Sequence, residues 1–132
     1  MRPRLPALAL AAALMATALM AGPVAAQAHE LDGQWQRSTG TSRLQFEAAD
    51  GGLSSRIVWI RPGVKTPAHV GQQIFFGLVP DGDHKWRGKA FNPEDGKTYS
   101  GLVIRDGDTL VTKGCILGGL ICKSESWTRV QG

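Results

Sequence analysis

The sequence predicts an all-β domain, an eight-stranded up-and-down antiparallel barrel. Three observations predict it. Short runs of alternating apolar and polar residues repeat at roughly 8–12-residue spacing, as strands with one buried and one wet face do. Turn-forming Asp and Gly residues punctuate them. No amphipathic stretch of helical period and convincing length interrupts the series.

The strands are expected near 33–37, 43–48, 53–61, 73–80, 84–91, 97–105, 109–115 and 121–130. The first opens on Gly33-Gln34-Trp35. In the second, Leu44, Phe46 and Ala48 face one way, while Arg43, Gln45 and Glu47 face the other. The third carries Arg56-Ile57-Val58-Trp59-Ile60, and the long segment 62–72 separates it from the fourth. In the fifth, Trp86, Gly88 and Ala90 oppose Lys85, Arg87 and Lys89. A hairpin closed around 93–96 sets Gly88 of the fifth opposite Gly101 of the sixth. The seventh and eighth strands are joined by an apolar tip, Ile116-Leu117-Gly118-Gly119-Leu120-Ile121. Eight such strands joined in order by short links close most simply on themselves, which removes the unpaired edges.

The links sort into two ends. Asp50-Gly51-Gly52, Asp81-Gly82-Asp83 and Asp106-Gly107-Asp108 share one end, which should be compact. Links 38–42, 62–72, 92–96 and the 116–121 tip share the other, where a mouth would lie. If Gly118-Gly119 is a two-residue turn, residue 117 faces 120, 116 faces 121, and Cys115 faces Cys122. Opposed residues in an antiparallel pair are close enough for a disulfide.

The N-terminus reads as a secretory signal peptide over residues 1–28. Arg2 and Arg4 precede an apolar run from Leu5 to Met20, and the small-residue sites Val24-Ala25-Ala26 and Ala26-Gln27-Ala28 follow. Removing 28 residues from 132 leaves 104, enough for one domain over 29–132. Removing Arg2 and Arg4 also lowers Lys+Arg from 15 to 13 against 11 Asp+Glu, a net charge of +2. That balance argues neither for nucleic acid nor for an anionic membrane surface. Two cysteines in an exported chain favour a disulfide. A periplasmic or secreted protein is expected, with no stable membrane anchor after cleavage.

Across the mature chain the residues form a recognisable pattern. It runs from Gly33-Gln34-Trp35 through Arg56-Ile57-Val58-Trp59-Ile60 to Pro80-Asp81-Gly82-Asp83-His84-Lys85-Trp86-Arg87-Gly88. It continues with Asn92-Pro93-Glu94-Asp95-Gly96-Lys97-Thr98-Tyr99-Ser100 and Ser126-Trp127-Thr128-Arg129-Val130. The chain thereby resembles the exported bacterial family catalogued as domain of unknown function twenty-one forty-seven. The resemblance implies a lipocalin-like barrel and a cell-envelope location, but no activity. Gly-x-Trp in the first strand with Trp-x-Arg in the last also resembles the lipocalin closing arrangement. By that likeness Arg129 stacks over Trp35 and seals one end, a structural role. Residues 50–55 lack the cysteine pair that family members often carry before the third-strand motif.

Nothing in the sequence assembles a catalytic centre. His29, His69 and His84 are isolated and lack metal-ligand spacing. The Asp-x-Asp turns are too short a match for a calcium loop, and each acid has a backbone reason to sit in its turn. No nucleophile elbow or phosphate loop is present. The expectation is therefore no enzymatic activity, no cofactor and no metal. The principal functional expectation is a small, largely apolar ligand in the barrel lumen, with Trp59, Phe76, Trp86 and Tyr99 as wall residues. Small residues at 88, 90 and 101 would leave the space. The alternative is an envelope-protein partner docking through the mouth loops and the apolar tip, Ile116, Leu117, Leu120 and Ile121, because exposed apolar patches mark contact sites.

Overall fold

A computed structural model describes residues 29–131 and, ahead of them, Pro3 alone. The signal-peptide reading lies outside the described residues. Alternating sequence becomes eight strands: β1 (Gln34–Arg37), β2 (Ser42–Ala49), β3 (Gly52–Ile60), β4 (Phe75–Pro80), β5 (Lys85–Asn92), β6 (Lys97–Asp106), β7 (Thr109–Ile116) and β8 (Ile121–Arg129). Each pairs antiparallel with its sequence neighbour, and β8 returns to β1 through Trp35↔Arg129 and Arg37↔Trp127, closing the barrel. The expected order and both ends hold.

Inward-facing apolar residues from every strand fill the interior. Leu44 and Phe46 of β2, Leu53 and Ile57 of β3, Trp86 of β5, Val103 of β6, Leu110 of β7 and Trp127 of β8 are all buried. At one end this filling is solid. A short turn at 29–32 lies across it and drives Leu31 fully out of solvent beside Trp35. Trp35 donates its indole N–H to the Leu31 carbonyl at 3.1 Å. The Arg129 guanidinium stacks 4.2 Å from the Trp35 ring centre. It also donates to the Glu30 carbonyl at 2.8 Å, to the Asp32 carbonyl, and to Asp108 Oδ1 at 2.9 Å. Glu30 in turn accepts from His84 at 2.9 Å and Arg105 at 3.3 Å. The seal is thus a capped tryptophan tied to three segments of chain.

The expected facing of Gly88 and Gly101 is present, but not for the expected reason. A Cβ on Gly88 would lie 2.6 Å from the carbonyl oxygens of Phe76 and Gly77, and one on Gly101 would lie 2.8 Å from the Lys89 backbone. Gly88 lets β5 approach β4 where that strand is irregular between Phe76 and Val79, and Gly101 lets β6 close on the β5 backbone. They do not open the lumen.

At the opposite end, the β7–β8 hairpin turns on Gly118 (φ 66°) and Gly119 (φ 94°). The Leu120 N–H closes the turn on the Leu117 carbonyl at 3.3 Å. Below it Ile116 pairs with Ile121, and Cys115 with Cys122. The two cysteines form a disulfide with Cα atoms 4.1 Å apart.

Four outcomes follow for stability. Arg129→Ala removes the stacked cation and its forked donation, and should lower unfolding free energy in urea by about 2–4 kcal/mol. Arg129→Lys should recover less than half of that loss, because an ammonium cannot fork. Gly88→Ala should cost about 1–3 kcal/mol by overpacking, whereas Gly114→Ala, whose Cβ would meet nothing nearer than 3.7 Å, should cost less. The hydrogen bond from His84 holds the Glu30 carboxyl below the usual carboxylate range, with Arg105 adding to it. A depressed acid stabilises the fold above its unfolded pKa, and that stabilisation is lost as pH falls through the folded pKa. The stability gap between the parent protein and Glu30→Gln should therefore close on acidification, and a gap independent of pH would contradict the assignment.

Candidate ligand-binding cavity

Sealing one end leaves the other as the barrel's opening. There a cavity of about 760 Å³ enters the lumen between the four mouth links. Its apolar wall comes from alternate positions on successive strands: Leu44 (β2), Ile57 and Ile60 (β3), Phe75 (β4), Ala90 (β5) and Trp127 (β8), with Ile74 just ahead of β4. The polar atoms along this wall are hydrogen-bonded within the protein. The Trp127 indole N–H donates to Thr112 Oγ1 at 2.9 Å, and Ser55 Oγ accepts the Phe75 N–H at 3.0 Å.

Towards the mouth the lining turns polar. Arg37 at the end of β1 and Glu125 of β8 both reach the cavity and form an ion pair, with Arg37 Nε donating to Glu125 Oε2 at 3.1 Å. Tyr99 of β6 donates its hydroxyl to Asp95 in the β5–β6 link. Thr66 of the β3–β4 link donates to Glu94 at 2.7 Å and draws that link over the rim. Lys65 and Lys123 complete the charged lining. The arrangement is an apolar pocket below a charged rim, the form that fits an apolar body with a polar end.

Of the four residues expected on the wall, only Tyr99 lines the cavity. Trp59 is on the outer face, where Arg43 stacks 4.9 Å from its ring. A bulge shifts the β2–β3 register between Arg43↔Trp59 and Leu44↔Ile57, so Ile57 and Ile60 take the inner wall instead. Phe76 pairs with outward Lys89, and its neighbour Phe75 pairs with inward Ala90. A one-residue step exchanges the faces of a strand. Trp86 is inward and buried, but belongs to the solid core rather than the cavity wall. Three members of the wall carried a signal in the sequence. Leu44 and Ala90 follow the period of two in the second and fifth strands, and Trp127 shares a face with Arg129 two residues on. The lumenal Arg37–Glu125 pair carried none, since charged residues at strand positions normally face water.

The tip behaves differently. Ile116 and Ile121 border the cavity, while Leu117 and Leu120 project away from it, 66% and 84% exposed. The tip is therefore no plug. The disulfide lies on the outer face of the hairpin: Cys115 and Cys122 alternate with the lumenal Gly114, Ile116, Ile121 and Lys123. Among the described residues no group of His, Cys, Asp and Glu side chains is placed to hold a metal ion.

The Asp95–Tyr99 contact has a direct spectroscopic consequence. Asp95 accepts the phenol proton and holds the Tyr99 hydroxyl above the ordinary phenol range, while the same hydrogen bond lowers Asp95. Tyr99 is the only tyrosine in the chain, so tyrosinate absorbance reports it alone. Alkaline titration should show a raised midpoint that Asp95→Asn shifts down. An identical midpoint in the two proteins would place the hydroxyl elsewhere.

No curated protein matches the sequence. A solved structure of protein HP1028 from the human pathogen Helicobacter pylori, described as belonging to the lipocalin family, is similar in fold. It gives a TM-score of 0.63 at 22% identity, with 76% of this chain and 83% of that one covered. The family model described as "Uncharacterized protein conserved in bacteria (DUF2147)" matches residues 33–129, and the chain belongs to that family.

Proposed function

We propose that this protein is exported and binds a small, largely apolar ligand in the mouth of its lipocalin-like barrel, without catalysing its conversion. The observation that carries the reading is the cavity. Its 760 Å³ lies within the range of small-molecule sites, about 300–1,000 Å³. Its wall is aliphatic and aromatic, with Tyr99, Lys65, Lys123 and the Arg37–Glu125 pair at the level where a ligand's polar end would sit. Export is supported by the charged and apolar N-terminal segment with its small-residue cleavage sites. The Cys115–Cys122 disulfide supports it too, since such bonds persist in oxidising compartments. Among the described residues no helix is long and apolar enough to cross a membrane. The exposed Leu117 and Leu120 favour a second role, docking of the mouth end, with an envelope protein as one candidate partner.

The test is native mass spectrometry of the protein purified gently from the producing cell, repeated after denaturation. The reading predicts a reproducible extra mass that denaturation releases, and uptake of the uncharged probe N-phenylnaphthylamine once the protein is emptied. Gly114→Ile projects a β-branched side chain into the cavity and should weaken probe uptake about tenfold or more, with the barrel's circular dichroism unchanged. A bare protein that takes up no probe, or uptake untouched by Gly114→Ile, would remove the lumen from consideration.

A further inference from the structure

We infer that the mouth end of this barrel docks on an anionic lipid surface, with the β7–β8 tip inserted among the lipids. The inference rests on the exposed mouth end and not on whether the lumen holds a ligand.

Large apolar residues are not scattered over the surface. Six are exposed among the described residues, and five of them lie at the mouth end: Val70 in the β3–β4 link, and Ile116, Leu117, Leu120 and Ile121 on the tip. Monomeric proteins in water rarely present such a cluster without a contact to cover it. The tip is also built to present it. Leu117 holds a left-handed backbone, φ 52°, a conformation that glycine or asparagine adopts far more readily than leucine. A leucine kept there is not explained by the needs of the turn, since Gly118 and Gly119 already supply the reversal. The disulfide just below braces the hairpin, with Leu117 and Leu120 out in solvent and Ile116 and Ile121 about half exposed at the cavity's edge.

Charge selects the occupant. The small net charge of the chain conceals a separation along the barrel axis. Seven of the eleven carboxylates lie in the 29–32 segment and in the three Asp-Gly turns of the sealed end; with Glu30, Asp81 and Asp108 paired with Arg105, Arg87 and Arg129, Asp32, Asp50, Asp83 and Asp106 stand there against Lys85. At the mouth end, Arg61, Lys65, Lys97 and Lys123 stand against Glu94 and Asp95 once Glu125 is paired with Arg37. Glu94 and Asp95 are themselves engaged, by Thr66 and by Tyr99. The end that carries the exposed aliphatic residues is thus the cationic end, and the opposite end would be repelled by the same surface. Apolar insertion combined with a few nearby cations is the two-signal pattern of reversible attachment to anionic bilayers. An uncharged apolar protein groove would gain nothing from the lysines. The pose also turns the open cavity towards the lipid.

The experiment is co-sedimentation of the disulfide-intact protein, residues 29–132, with vesicles. One set is phosphatidylcholine alone, and the other an equal mixture of phosphatidylcholine and phosphatidylglycerol. Binding should favour the mixed vesicles and weaken as salt is raised. Leu117→Ser with Leu120→Ser should reduce it at least about tenfold with the melting temperature unchanged, because both side chains are already in solvent. Lys65→Gln with Lys97→Gln should reduce it about tenfold and flatten the salt dependence. Gly114→Ile should bind vesicles like the parent, which separates this inference from the lumen reading. Failure to bind either vesicle, equal binding to both, or binding indifferent to the leucine pair would overturn it. Capture of an envelope protein through the tip in the absence of vesicle binding would overturn it in favour of a protein partner.

Discussion

The structure depends on the seal that Arg129 makes over Trp35. An eight-stranded barrel is a sheet without edges but with two open ends, and its lumen is only wide enough for side chains or one small ligand. Which of these it holds is decided end by end. At the sealed end Trp35 is fully buried, its indole nitrogen is satisfied by Leu31, and the guanidinium above it fixes the 29–32 segment by donating to its carbonyls. The same residue reaches Asp108 in the β6–β7 turn. One side chain thus joins β8, β1, the N-terminal turn and a hairpin. The apolar residues beneath can then pack as a core, while the far end holds a cavity.

Much of this architecture was legible in the sequence because its causes are local. The period of two, the Asp-Gly turns and the Gly118-Gly119 hairpin each act within a few residues of where they are written. They suffice for strand order, the two ends and the disulfide register. The Trp35–Arg129 contact, which joins the first strand to the last, was legible only through likeness to a known closing arrangement. The cavity wall was less legible because it depends on irregularities. The β2–β3 bulge exchanged Trp59 for Ile57 and Ile60, and the register of β4 exchanged Phe76 for Phe75. Glycines 88 and 101 show the same limit. Absence of a side chain reads as space in a sequence, yet here it marks a close approach of two backbones.

Net charge conceals a separation for a related reason. A sum over the chain suggests no preference for an anionic surface, whereas the fold sorts carboxylates to the sealed end and leaves cations and exposed aliphatic side chains at the mouth. The functional picture that results is polar along the barrel axis: one end holds the fold together, and the other carries the cavity, the charged rim and the apolar tip. The disulfide contributes by bracing that tip, closing a loop of about eight residues for roughly 2.5 kcal/mol in the chain-entropy model.

The central claim is that a ligand enters at the mouth and stops above the sealed core. Methyl NMR of the emptied protein, titrated with N-phenylnaphthylamine, tests it residue by residue. The account predicts shifts at Leu44, Ile57, Ile60 and Ile74, with Leu31, Leu78, Val103 and Leu110 unmoved. Shifts centred on the second group, or on none of these methyls while the probe binds, would contradict it.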